Sequence, residues 1–234
     1  MQLRKGLEKL KQESVAICII ASALLLCVWL SVLGAVEPKE AEQTAARPEP
    51  MQDPLLLLVN QEVALPKGYQ ITPQLVGDEV VDIRMYRDLT AMFDAAAKDD
   101  VWFWVVSGYR SAWQQEIIFD REVQKNLDAG MSREQAQADA LRTVQRPGHS
   151  EHQTGLAVDL NDVSDHFETS KAYKWLTLHA AEYGFVQRYL PEKSDLTGID
   201  KESWHFRYVG KAHAKAMTER GLCLEEYVDS MKNP

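Results

Sequence analysis

Cysteine is scarce in this 234-residue chain, with three residues in all, and Cys18 and Cys27 both fall inside one apolar run. Only Cys223 lies beyond that run, so no internal disulfide can staple the remainder. No His or Asn stands beside Cys223, which therefore reads as a small packing residue rather than a nucleophile. Positive charge is also short. Lys and Arg number 26 against 35 Asp and Glu, and the formal net charge is −9. That balance argues against a nucleic-acid partner, and setting aside the basic N-terminal flank leaves the rest more acidic still. Internal repeats, a Gly-rich phosphate loop and a heptad seam are all missing, which removes solenoids, phosphate-loop enzymes and coiled coils from consideration.

A long apolar stretch is present at one place. From Val15 to Val36 no residue is charged, and as a helix this stretch reaches about 33 Å, enough to cross a bilayer. Residues 1–14 carry Arg4, Lys5, Lys9 and Lys11, while the following flank is acidic at Glu37, Glu40 and Glu42. This asymmetry predicts a signal-anchor with its N-terminus inside and the rest outside. A cleaved signal peptide is the alternative, because Val32, Gly34 and Ala35 are small, but apolar cores of signal peptides usually run only about 7 to 15 residues. Residues 37–53 are rich in Glu, Ala, Gln and Pro without apolar periodicity and read as a disordered linker. Residues 54–234 are long enough for one domain with its own core.

Within that domain, Ile83, Met85, Leu89, Met92, Phe93 and Ala96 recur at helical spacing. The run Val101 to Val106 is aromatic and β-branched and predicts a buried strand with Trp102 and Trp104 in the core. Helices are predicted over Ala112 to Leu127, over Arg133 to Gln145 behind a Ser132/Gln135 capping box, around Ser170 to Tyr183, and from Lys211 to Arg220. Strands are predicted around Leu156 to Leu160 and Ser203 to Val209. Helices and strands mix without regular alternation, which makes the class α+β.

Polar chemistry concentrates in Ser150-Glu151-His152-Gln153-Thr154-Gly155-Leu156-Ala157-Val158-Asp159 and, far downstream, Glu202-Ser203-Trp204-His205. On a strand, Leu156, Val158 and Leu160 face the core while Ala157 and Asp159 face away from it. Two imidazoles and one carboxylate make three ligands suited to zinc, with a fourth position left open for water. His152, Asp159 and His205 fit that count. A base must still take the water's proton and pass it to the leaving amine, and Glu202 is the natural candidate. Glu202 and His205 are three residues apart and point to opposite faces of a regular strand, so Glu202 is expected before the strand or at a bulge. A closed structural zinc normally takes a fourth protein ligand, often Cys, and no suitable Cys is at hand.

These segments resemble the S-x-H-x-x-G-x-A-x-D and E-x-W-H signatures of the VanY-type D-alanyl-D-alanine carboxypeptidase family of zinc peptidases. Ser107-Gly108-Tyr109-Arg110-Ser111, with Gln115 beyond it, is similar to that family's SGYRS segment, and the likeness runs from Leu55 to Tyr227. One departure is Ser203, where many relatives have Pro. The resemblance implies a mostly antiparallel central sheet flanked by helices, one zinc held by His152, Asp159 and His205, and Glu202 as base. It also implies that Arg110 is a catalytic residue on the substrate side, pairing with a terminal carboxylate or the developing oxyanion.

Ser150, Ser107, Ser111 and Gln115 are further candidates for holding the substrate's carboxylate, against a reading as turn and cap residues. The activity implied is removal of the C-terminal D-Ala from peptidoglycan stem peptides, or their lipid-linked precursors, at the outer face of a bacterial cytoplasmic membrane. In relatives such trimming removes the target of glycopeptide antibiotics. Two alternatives are an L,D-carboxypeptidase acting on tetrapeptide stems and a non-catalytic zinc-containing cell-wall binding module. His166, His179 and His213 have no accompanying pattern and read as structural or exposed, and His149 reads as a loop residue.

Overall fold

A computed structural model describes residues 53–232 of the chain. After an N-terminal arm, a hairpin of β1 (Pro73–Val76) and β2 (Glu79–Asp82) leads into α1 (Ile83–Lys98). Asp82 caps this helix by accepting from the Arg84 backbone N–H. There follow β3 (Val105–Ser107), α2 (Ala112–Asp128), α3 (Arg133–Ala140), a 3-10 turn at Glu151–Thr154 and β4 (Ala157–Leu160). The chain continues through α4 (Lys171–His179), β5 (Phe185–Tyr189), the single turn α5 (Ser194–Thr197), β6 (Glu202–Tyr208), α6 (Lys211–Arg220) and α7 (Leu224–Lys232).

The four-stranded sheet has the order β3-β4-β6-β5, and each neighbouring pair is antiparallel. One face packs on α1, whose Met85, Leu89, Met92 and Ala96 form a buried stripe at helical spacing. Leu156, Val158 and Leu160, together with Phe206 and Phe185, meet that stripe. Side chains of this kind contribute roughly 1.5–3 kcal/mol each on full burial, so the core clamps β4 and β6 firmly. Cys223 is the free thiol among the described residues; it is buried, and burial pushes it up to about 11.

Two expectations are corrected. Among the described residues no helix is long and apolar enough to cross a membrane. The span expected at residues 15–36 lies outside the described residues, as do the flank at 1–14 and almost all of the linker. The described residues thus give the α+β domain and no membrane-spanning helix, and the single-pass membrane localisation is not carried further. The second correction concerns Trp102 and Trp104, which are 68% and 57% exposed. Val101 is buried and Phe103 and Val105 pack on the core, so the alternating tryptophans project the other way. β3 is an edge strand, and Asn161 stitches its approach by accepting from the Trp104 N–H (3.2 Å) and donating to the Trp102 carbonyl (2.9 Å).

Gly155 closes the turn before β4 at φ +68°, and a Cβ there would meet Asp82 Cβ and the Asp82 backbone nitrogen, each at 3.0 Å. Left-handed backbone costs an L-residue about 1 kcal/mol or more. Gly155→Ala should therefore lower the melting temperature by several degrees, and an unchanged melting curve would contradict this account of the turn.

Candidate metal centre and cleft

Asp159 on β4 and His205 on β6 are direct cross-strand partners, so their side chains rise from the same face. His205 Nδ1 lies 3.1 Å from Asp159 Oδ1. His152 comes from the turn before β4. Its Nδ1 is 2.7 Å from the Gly108 carbonyl, which only accepts, so Nδ1 carries the proton and Nε2 presents a lone pair. That Nε2 is 3.3 Å from Asp159 Oδ2. One ligand atom from each of His152, Asp159 and His205 lies within 4.8 Å of the others, and all three residues are buried. Two imidazoles and a carboxylate at this spacing suit a single zinc, and no fourth donor joins the group among the described residues.

Glu202 opens β6. Gln187 stands opposite Phe206 but Tyr189 stands opposite Glu202, so β6 carries extra residues against β5 at this point. The irregularity defeats strict alternation and brings Glu202 Oε2 to 3.6 Å from His205 Nδ1. The cluster opens on a cavity of about 490 Å³, walled also by Arg110, Gln115, Gln145, Ser150, Tyr189 and Trp204. Arg110 Nε donates to Ser107 Oγ and Arg110 Nη2 to Asp159 Oδ2, each at 2.8 Å.

Electrostatics distinguish the four groups. Burial raises Glu202 to about 8, with nearby Asp159 adding to the effect and His205 opposing it. Burial opposes charge on His205, but hydrogen bonds to Asp159 and Glu151 lift it to about 9. His152 is lowered by burial and by the charge of Arg110. Burial works against ionised Asp159, yet His152 and His205 hold it well below the usual carboxylate range.

The remaining candidates divide. Ser150 and Gln115 line the cavity, and Gln115 is anchored by donating from Nε2 to the Gln145 carbonyl at 2.6 Å. Ser107 and Ser111 are absent from its walls: Ser107 holds Arg110, and Ser111 forms a capping box with Gln114 at the start of α2. These contacts are those of the turn and cap reading given above. His149 sits in a loop, bonded through Nδ1 to the Asn60 carbonyl. Glu151 escaped the sequence reading. It is buried behind His205 against Arg188 and Arg207, and only the distant positions of those arginines could have signalled it.

Residues 78–211 match the family described as VanY, D-alanyl-D-alanine carboxypeptidase. The chain is 42% identical over 178 residues to a D-alanyl-D-alanine carboxypeptidase of Enterococcus faecalis, covering 76% of this chain and 66% of that relative. It therefore spans just under two thirds of that relative's length. Among solved structures it is similar to VanYB in complex with D-alanine-D-alanine, with TM-score 0.71 and 39% identity, covering 76% of this chain and 98% of the other. A VanY D,D-pentapeptidase from a vancomycin-resistance cassette, in complex with Zn(II), superposes with TM-score 0.70 and 41% identity over 75% of this chain and 99% of the other. The L,D-carboxypeptidase LdcB follows with TM-score 0.66 and 36% identity, covering 76% and 88%.

An imidazolium must lose one of its two ring protons to ligate a metal, and His205, lifted to about 9 by its hydrogen bonds to Asp159 and Glu151, carries both at pH 7. Zinc binding at pH 7 should therefore release at least one proton, and the affinity should weaken as pH falls. Calorimetric titration in two buffers of different ionisation enthalpy measures the release; binding without it would show that His205 is already neutral in the metal-free protein and overturn the charged state assigned to it here.

Proposed function

Since the chain belongs to the VanY family of D-alanyl-D-alanine carboxypeptidases, we propose that it is a zinc-dependent D,D-carboxypeptidase that removes the terminal D-Ala from peptidoglycan stem peptides ending in D-Ala-D-Ala. The observation that carries this reading is the gathering of His152, Asp159 and His205 within 4.8 Å on the wall of an open cavity, with the Glu202 carboxylate 3.6 Å from His205. Bound zinc supplies a Lewis acid that polarises the scissile carbonyl and makes water acidic enough to be deprotonated near neutrality.

The chain's own residues do the rest. His152 and His205 offer one nitrogen each and Asp159 one oxygen, and the hydrogen bond from His152 Nδ1 to Gly108 prevents that ring from turning. Glu202 takes a proton from water and returns it to the leaving amine of D-Ala. A carboxyl group raised toward neutrality by burial serves both directions of that transfer better than an ordinary one. Arg110 stands on the cavity wall as a permanent cation for the substrate's terminal carboxylate or the developing oxyanion. Ser150 and Gln115 line the same wall with hydroxyl and amide groups able to bond the peptide's end.

A general base of this kind is worth roughly 10²–10⁴ in rate. Glu202→Ala should lose at least that factor in D-Ala release while still binding zinc, and undiminished cleavage would reject Glu202 as base. Replacing His152 by Ala should lose metal and activity together; full zinc occupancy in that variant would overturn the ligand assignment. For specificity, mass spectrometry of D-Ala released from a pentapeptide and a tetrapeptide stem decides the matter. Release from the pentapeptide is expected, and release only from the tetrapeptide would reject D,D activity.

A further inference from the structure

Glu151 is fully buried, and the partners around its carboxylate are donors. Arg188 Nε at 2.8 Å and Arg207 Nη1 at 2.9 Å both donate to Oε1. Oε2 faces His205 Nε2 at 3.4 Å. Each guanidinium is buried too and tied onward. Arg188 Nη2 donates to Glu225 Oε1 on α7 at 2.6 Å, and Arg207 Nη2 donates to the carbonyls of Leu55 and Leu57 in the N-terminal arm at 3.1 and 2.8 Å. A buried ionic path thus runs from the arm and the last helix to the rear edge of the His205 ring. The opposite edge of that ring, Nδ1, faces Asp159 and Glu202.

Buried ion pairs are a poor route to stability, because apolar replacements of similar volume are often as good or better. Their worth here lies in what they impose on His205. His205 has a carboxylate at each ring edge, Asp159 at Nδ1 and Glu151 at Nε2, and a carboxylate can only accept; a neutral ring that gives its Nδ1 lone pair to a metal beside Asp159 must therefore carry its proton on Nε2, where Glu151 receives it. We infer that Glu151 is a positioning residue of the metal centre, locked by Arg188 and Arg207, that fixes the tautomer and orientation in which His205 presents Nδ1 beside Asp159. This rests on the zinc reading above.

The amide isostere makes the inference testable. In Glu151→Gln one oxygen becomes an NH2, and it must face a donor. The guanidiniums cannot change. His205 can, by moving its proton to Nδ1, which is the wrong tautomer for ligation beside Asp159. The folded variant should therefore bind zinc about 10- to 100-fold more weakly, read by competition against a chromophoric chelator.

Because removing one buried charge can unfold the domain, a second measurement uses the wild-type protein. In zinc-loaded protein with 15N-labelled histidine, the His205 ring proton should be found on Nε2 and should exchange slowly with water. A proton on Nδ1 in wild type, or a folded Glu151→Gln variant with zinc affinity within twofold of wild type, overturns the inference. The two failures separate cleanly: zinc-loaded wild type that releases no D-Ala counts against the carboxypeptidase reading, whereas hydrolysing wild type with the proton on Nδ1 counts against Glu151 alone.

Discussion

The register between β4 and β6 is the constraint on which the site depends. Asp159 stands opposite His205 because Val158 stands opposite Phe206, and those two neighbours are buried in the core against α1. A one-residue slip would turn each strand over, sending Asp159 into the apolar layer and Val158 toward the cleft. Burying an unpaired carboxylate costs several kcal/mol, and exposing Val158 forfeits roughly 1.5–3 more. The hydrogen bond between Asp159 and His205 is worth less than either. Apolar packing thus places the ligands, and polar contacts only trim their final orientation.

The same logic explains why some of the site was legible from sequence and some was not. Alternation along Leu156 to Leu160 already separates core from cleft, and the two motifs name their own chemistry. The capping box at Ser132 is local and therefore visible in neighbouring residues. Glu202 required an interruption of strand period, which the three-residue spacing demanded but could not locate; the shifted pairing of β5 with β6 supplies it. Glu151 was invisible because its meaning comes from Arg188 and Arg207, 37 and 56 positions away.

Trp102 and Trp104 failed for a different reason. Their size and β-propensity say nothing about which side of an extended segment they occupy. The phase is set by Val101, Phe103 and Val105, which pack inward and leave the larger rings outside. A run of apolar residues invites all of them inward, whereas the period of two decides here. In the Ser107 to Ser111 segment, one motif places Arg110 on the cleft wall, a hydroxyl at Ser107 that accepts from it and a hydroxyl at Ser111 that caps α2.

The lone thiol near the last helix has a practical consequence. Cys223 is packed beside the helix that carries Glu225, and burial keeps it protonated, so it resists oxidation and alkylation while the fold is closed. A reagent that reacts with thiols becomes a clock for the unlatching of the chain's C-terminal end, marking those excursions one covalent event at a time.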